Sequence, residues 1–78
     1  MDDGIERNLG AQPIADIMAE HGLKPHDLVA ASTQQLTHKM VTRACKGRKL
    51  TDNTKTKVLN ALNLAAEKNY TLSEIFNY

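Results

Sequence analysis

The chain has 78 residues, 41% of them hydrophobic, a formal net charge of +1 and a single cysteine. That length suits one small domain burying only about 60–65% of its unfolded surface, with little room for a deep catalytic cleft beside the core. A lone cysteine excludes an internal disulfide, and no apolar run approaches the ~18–20 residues of a membrane span.

With two Tyr, one Phe and no Trp, the core must be aliphatic. The start of the chain, Met1-Asp2-Asp3-Gly4, lacks the basic-then-apolar order of a secretory signal. Residues 1–11 are polar and weakly periodic, which predicts a flexible arm, with the folded domain over residues 12–78. A soluble cytoplasmic protein is the expectation.

The first helix is predicted over Pro13–His21. Proline fits the opening position, where its missing N–H has no partner to lose. Ile14, Ile17 and Met18 make one apolar stripe, and Gly22 supplies the stop. A second helix starts at Pro25 by the same logic and ends near Ala31, because Ser32-Thr33-Gln34-Gln35 offers the backbone competing side-chain hydrogen bonds. A third helix is predicted from Thr37, as N-cap, to Lys46, with Gly47 ending it. Val41, Ala44 and Cys45 form its inner stripe. The loop 47–52 leads to a fourth helix from about Asn53 to Ala66, with Val58, Ala61, Leu62 and Ala65 facing the core. Leu64 lies off that stripe and is expected to pack beneath the C-terminal segment, a partner surface being the alternative. Thr71-Leu-Ser-Glu74 has the form of a capping box opening a short fifth helix, with Leu72, Ile75 and Phe76 docking on the core. The expected fold is all-α, a compact bundle of about five short helices.

The charge is unevenly spread. Residues 1–37 hold two Lys/Arg against six Asp/Glu, a net −4; residues 38–57 hold seven against Asp52 alone, a net +6; residues 58–78 come to −1. A local excess of this kind is the footprint that a polyanion partner requires, and it equally suits a solvated basic face. At 100° per residue the third helix sets Lys39, Thr42, Arg43 and Lys46 on one side, with His38 at the edge of that face. The major groove of DNA is about 12 Å wide and admits one helix; Lys and Arg bond guanine O6 and N7, and Thr touches a thymine methyl. Lys46, Arg48 and Lys49 add cations past the helix end, and Thr51 and Asn53 open the next helix, where backbone N–H groups favour phosphate. Lys55 and Lys57 are expected to contribute more distantly.

The segment from Leu36 through Lys46-Gly47-Arg48-Lys49 to Thr51 resembles the recognition helix and following loop of lambda repressor-like, Cro-type helix-turn-helix DNA-binding domains. Thr71–Phe76 resembles that family's final short helix, and the likeness covers residues 12–78. The resemblance implies base-reading positions at His38, Lys39, Thr42 and Arg43 and phosphate positions at Arg48 and Lys49. The chain departs from the family twice. The link between the second and third helices is longer and lacks glycine. Pro25 stands where the family often has a phosphate-binding Gln, which leaves that contact either absent or moved to Gln34 or Gln35.

Other chemistry has little footing. His21 and His26 are parted by a helix break, and His38 and Cys45 lie about 10 Å apart along one helix, too far for one zinc with bonds of ~2.0–2.3 Å. Ser32 has no recognisable base and acid partners, and there is no Gly-rich phosphate loop. The expectation is a non-enzymatic, cofactor-free binder of double-stranded DNA, a transcriptional regulator associated with the nucleoid when bound. A homodimer on two half-sites one helical turn apart is one arrangement open to it, a monomer the other. Leu64 and Phe76-Asn77-Tyr78 are candidates for a dimer surface. The alternative function is a helical interaction module whose basic face binds an acidic protein. RNA is disfavoured by the sparse aromatics.

Overall fold

A computed structural model describes residues 10–77. Five α-helices follow one another: α1 (Pro13–Glu20), α2 (Pro25–Ala31), α3 (His38–Lys46), α4 (Asp52–Ala66) and α5 (Leu72–Ile75). Among the described residues there is no strand, so this part of the chain is all-helical. The expected flexible arm falls mainly on residues 1–9, outside the described residues.

Each helix ends where its sequence supplies a way out. After α1, Gly22 adopts a left-handed conformation (φ 67°). This lets the Leu23 N–H return to the Met18 carbonyl (2.8 Å) and the Gly22 N–H to Ala19 (3.1 Å), closing carbonyls the helix leaves open. His21 therefore lies just beyond the helix. After α3, Gly47 (φ 84°) does the same: the Arg48 N–H reaches Arg43 O (3.0 Å) and the Gly47 N–H reaches Ala44 O (3.3 Å). At the end of α4 the left-handed residue is Glu67 (φ 57°), a conformation that costs a non-glycine residue about 1–2 kcal/mol.

Helix starts are capped by short polar side chains. Thr37 Oγ1 accepts from the Met40 N–H (3.2 Å) and Thr51 Oγ1 from the Thr54 N–H (3.2 Å). Because Thr51 is the cap, α4 begins at Asp52, one residue before the expected Asn53. In α2 and α5 the carboxylate of the third residue bonds back: Asp27 takes the Lys24 N–H (2.8 Å) and Glu74 the Thr71 N–H (2.7 Å). The Glu74 N–H goes to the Thr71 carbonyl (3.1 Å), so the reciprocal box expected from the sequence is closed through the threonine's backbone.

The core draws on every helix: Ile14 and Met18 of α1, Leu28 of α2, Val41 and Ala44 of α3, Val58, Ala61 and Leu62 of α4, Ile75 of α5, and Leu36 and Phe76 from the links. Helix α2 packs on α3 and α4, while α1 packs on α3 and α5. Three sequence expectations are corrected. Leu64 is 53% exposed and does not pack beneath the C-terminal segment. Phe76, at 2% exposure, is buried and offers no dimer surface; Tyr78 lies outside the described residues. Lys55 is only 9% exposed, with its Nζ 5.8 Å from the Phe76 ring centroid and 3.9 Å from Asp52 Oδ1. Its stem packs along the core while its charge meets a ring face and a carboxylate.

Gln12, 1% exposed, holds the two ends of the described chain together. Its Nε2 donates to Gly10 O (3.0 Å), its Oε1 accepts the Asn77 N–H (2.7 Å), and its backbone N–H donates to Cys45 O at the end of α3 (3.3 Å). Exchanging Gln12 for Leu keeps the bulk but removes both side-chain bonds, each worth about 0.5–1.5 kcal/mol net. Gln12→Leu is therefore expected to lower unfolding free energy by about 1–3 kcal/mol in urea titrations. Loss of under about 0.5 kcal/mol would show that these bonds hold nothing.

Candidate nucleic-acid interface

Helix α3 divides cleanly into two faces. Val41 and Ala44 are fully buried, with Met40 and Cys45 half-buried beside them. Burial pushes the Cys45 thiol above its ordinary pKa, and its Sγ lies 3.6 Å from Met18 Sδ. It is a packing residue, since a thiolate and not a thiol is the nucleophile. On the opposite face His38, Lys39, Arg43 and Lys46 are all exposed. The helix carries no carboxylate, so nothing within it neutralises these cations. Arg43 and Lys46 stand in its last turn, where they offset the negative dipole end; Lys39 stands in the first turn, where the dipole gives it no support.

Gly47 turns the chain back and sets Arg48 and Lys49, both exposed, directly after this face. The turn is tight. Gly47 packs on Gly10 so closely that a Cβ at Gly47 would overlap the Gly10 carbonyl. The position of the loop cations thus depends on an absent side chain and a left-handed φ.

The remaining sequence-predicted residues are placed less uniformly. Thr42 is half-buried at the seam of α1 and α3, lining an open cavity of about 310 Å³ with Ala15, Ala19, Leu23 and Pro25. It flanks the exposed face. In the link between α2 and α3, the Ser32 hydroxyl accepts the Gln34 N–H (3.0 Å) and donates to the Gln34 carbonyl (2.9 Å). Gln34 turns toward α4, its Oε1 accepting from Asn60 Nδ2 (3.2 Å); Gln35 is exposed. Thr51 spends its hydroxyl on the cap, donating to Thr54 Oγ1 (3.0 Å). Asn53 is exposed, but beside it the Asp52 side chain is 99% exposed, so a phosphate at this helix start would meet a carboxylate. Lys39, Arg43, Lys46, Arg48 and Lys49 are the cations that the fold gathers at α3 and its exit. Lys55 is turned inward, and Lys57 is half-buried.

One residue that the sequence offers only as a metal-ligand candidate adjoins this face. His26, at the start of α2, stands with its ring centroid 6.5 Å from that of His38. No spacing rule flags it, because the two rings belong to different helices. His21 is used elsewhere, its Nε2 3.1 Å from the Tyr70 hydroxyl. Among the described residues, no three His, Cys, Asp or Glu side chains come together as a metal site, and no helix is long and apolar enough to cross a membrane.

Comparison with known protein families, with curated proteins and with solved structures finds no match to this chain.

The glycine turn gives a direct check. Gly47→Ala is expected to cost at least about 2 kcal/mol of stability, from a strained φ and backbone overlap together. Thermal melts that place this variant within a degree of wild type would contradict the described turn.

Proposed function

We propose that the chain is a sequence-specific double-stranded DNA-binding domain of the lambda repressor-like helix-turn-helix kind, a small transcriptional regulator that acts by occupying its site. On this reading α2 and α3 are the helix-turn-helix pair and α3 enters the major groove. The observation that carries it is the exposed cationic face of a helix without carboxylates, continued by Arg48 and Lys49 past a glycine turn. His38, Lys39 and Arg43 are the base-reading side chains, with Thr42 at the edge. Lys46, Arg48 and Lys49 hold phosphates, joined by Gln35 from the preceding link. Gln34, Thr51 and Asn53 have lesser roles, since the first two already spend side-chain groups on other bonds and the third stands beside Asp52. The protein is a binder, not an enzyme, and needs no cofactor. A homodimer on two half-sites about 34–36 Å apart is the arrangement such operators favour.

The same five cations also suit an acidic protein partner, and the salt response separates the two. Neutralising the three phosphates held by Lys46, Arg48 and Lys49 gives a slope near −2.7 in log K against log salt, so affinity for duplex should fall roughly 40-fold between 50 and 200 mM salt. Anisotropy titrations on a selected duplex should show Arg43→Ala relaxing preference at one base pair by about 1–3 kcal/mol. Lys49→Ala should weaken binding alike on all sequences and flatten the slope by about 1. Wild-type behaviour of both variants would mean that α3 and its loop are not the docking face, and tight binding only to acidic protein would replace this reading with the alternative.

A further inference from the structure

His26 and His38 come from helices that the sequence separates and the fold brings together. Their rings face each other across the junction of α2 and α3, with centroids 6.5 Å apart and planes inclined at 34°. Both residues are exposed. His38 stands one residue before Lys39, at the head of the cationic face, so the pair extends that face from α3 onto α2. The imidazole ring is the side chain that gains a full charge between pH 8 and pH 5.

The charges around the pair are few. Among the described residues, Asp27 is the carboxylate within ion-pair distance, its Oδ1 3.4 Å from His26 Nε2. Its Oδ2 is engaged by the Lys24 N–H at 2.8 Å. On α3, Lys39 is the adjacent charge and has the same sign as a protonated ring. From α1, His21 is taken up by Tyr70, and from α4, Lys55 lies against Phe76 and Asp52. The pair is therefore a place where protonation adds positive charge to a face that is already positive. A nearby opposite charge favours the charged form of such a group, and a phosphodiester backbone supplies it.

We propose that His26 and His38 form a proton-linked contact to nucleic-acid phosphate, with His38 assigned to the backbone in place of a base edge, so that duplex binding takes up protons and strengthens as pH falls. The proposal rests on the DNA-binding reading above and adds His26 to the interface. The sign follows from linkage: a group that holds its proton more firmly in the complex than in the free protein makes binding tighter on the acid side. Asp27 offsets part of the charge His26 gains, which leaves His38 the larger contributor.

The test is anisotropy with a labelled 20-base-pair duplex at fixed ionic strength, at pH 6.0 and 8.0. Wild type should bind at least about tenfold more tightly at pH 6.0, the gain expected of two imidazoles whose protonation is favoured by phosphate. His38→Gln should remove more of that gain than His26→Gln, and the double variant should bind within about twofold at the two pH values. His21→Gln serves as the control and should keep the full response. Circular dichroism at both pH values verifies folding, and ring-proton NMR titrations of wild type, with and without duplex, give a second readout that needs no variant: both midpoints should move to higher pH with DNA. Salt-sensitive binding that is flat with pH, or a pH response that survives in the double variant, overturns this inference and leaves the DNA reading standing. Absence of duplex binding at both pH values overturns both.

Discussion

The end of α3 is held by one buried residue. Gln12 reaches Gly10 and Asn77 with its amide and Cys45 with its backbone, so three distant parts of the chain meet where the cationic helix stops. An apolar residue at that position would give up both side-chain bonds, and with them the tie between the two ends of the described chain. Gly10 then lies against Gly47, and Gly47 sets the direction of Arg48 and Lys49. The placement of the exposed charges is thus fixed by contacts that are themselves buried and neutral.

The fate of the seven cations between residues 38 and 57 shows how packing sorts charge. Lys55 lies on the inner side of α4, where its stem covers apolar surface and its ammonium meets Phe76 and Asp52. Lys39, Arg43 and Lys46 are exposed on α3. Individually an exposed cation adds little to stability. Gathered on one helix without carboxylates, such cations act together on a polyanion, because each neutralised phosphate releases counterions. Binding, not folding, is what this face is suited to.

The helices themselves were legible because their signals are local. Pro13 and Pro25 mark helix openings, Gly22 and Gly47 mark endings, and Thr37 caps α3, all as the sequence indicates. Thr51 was recognised near the start of α4, but its capping role moved the boundary by one residue. The basic face of α3 followed from periodicity alone. What did not follow depends on contacts between distant residues. Lys55 and Asn53 look alike as polar positions near one helix start, yet one is buried and the other exposed. Leu64 lies off the core stripe of α4 by its angular position, but whether the C-terminal segment covers it depends on how that segment docks, and it is left exposed. Gln12 gave one usable signal, a polar residue of weak capping preference immediately before a proline. His26 gave none, since its neighbour His38 is twelve residues away on another helix.

The central claim is that α3 and its exit loop form the surface that meets DNA. A titration of ¹⁵N-labelled protein with duplex DNA, followed by amide shifts at low and moderate salt, tests it most directly. Shifts concentrated between residues 34 and 53, spreading to the start of α2 and shrinking as salt rises, are the result expected. Shifts centred on the exposed side of α4 around Leu64, or on α1 and α5, or none at all, would contradict it.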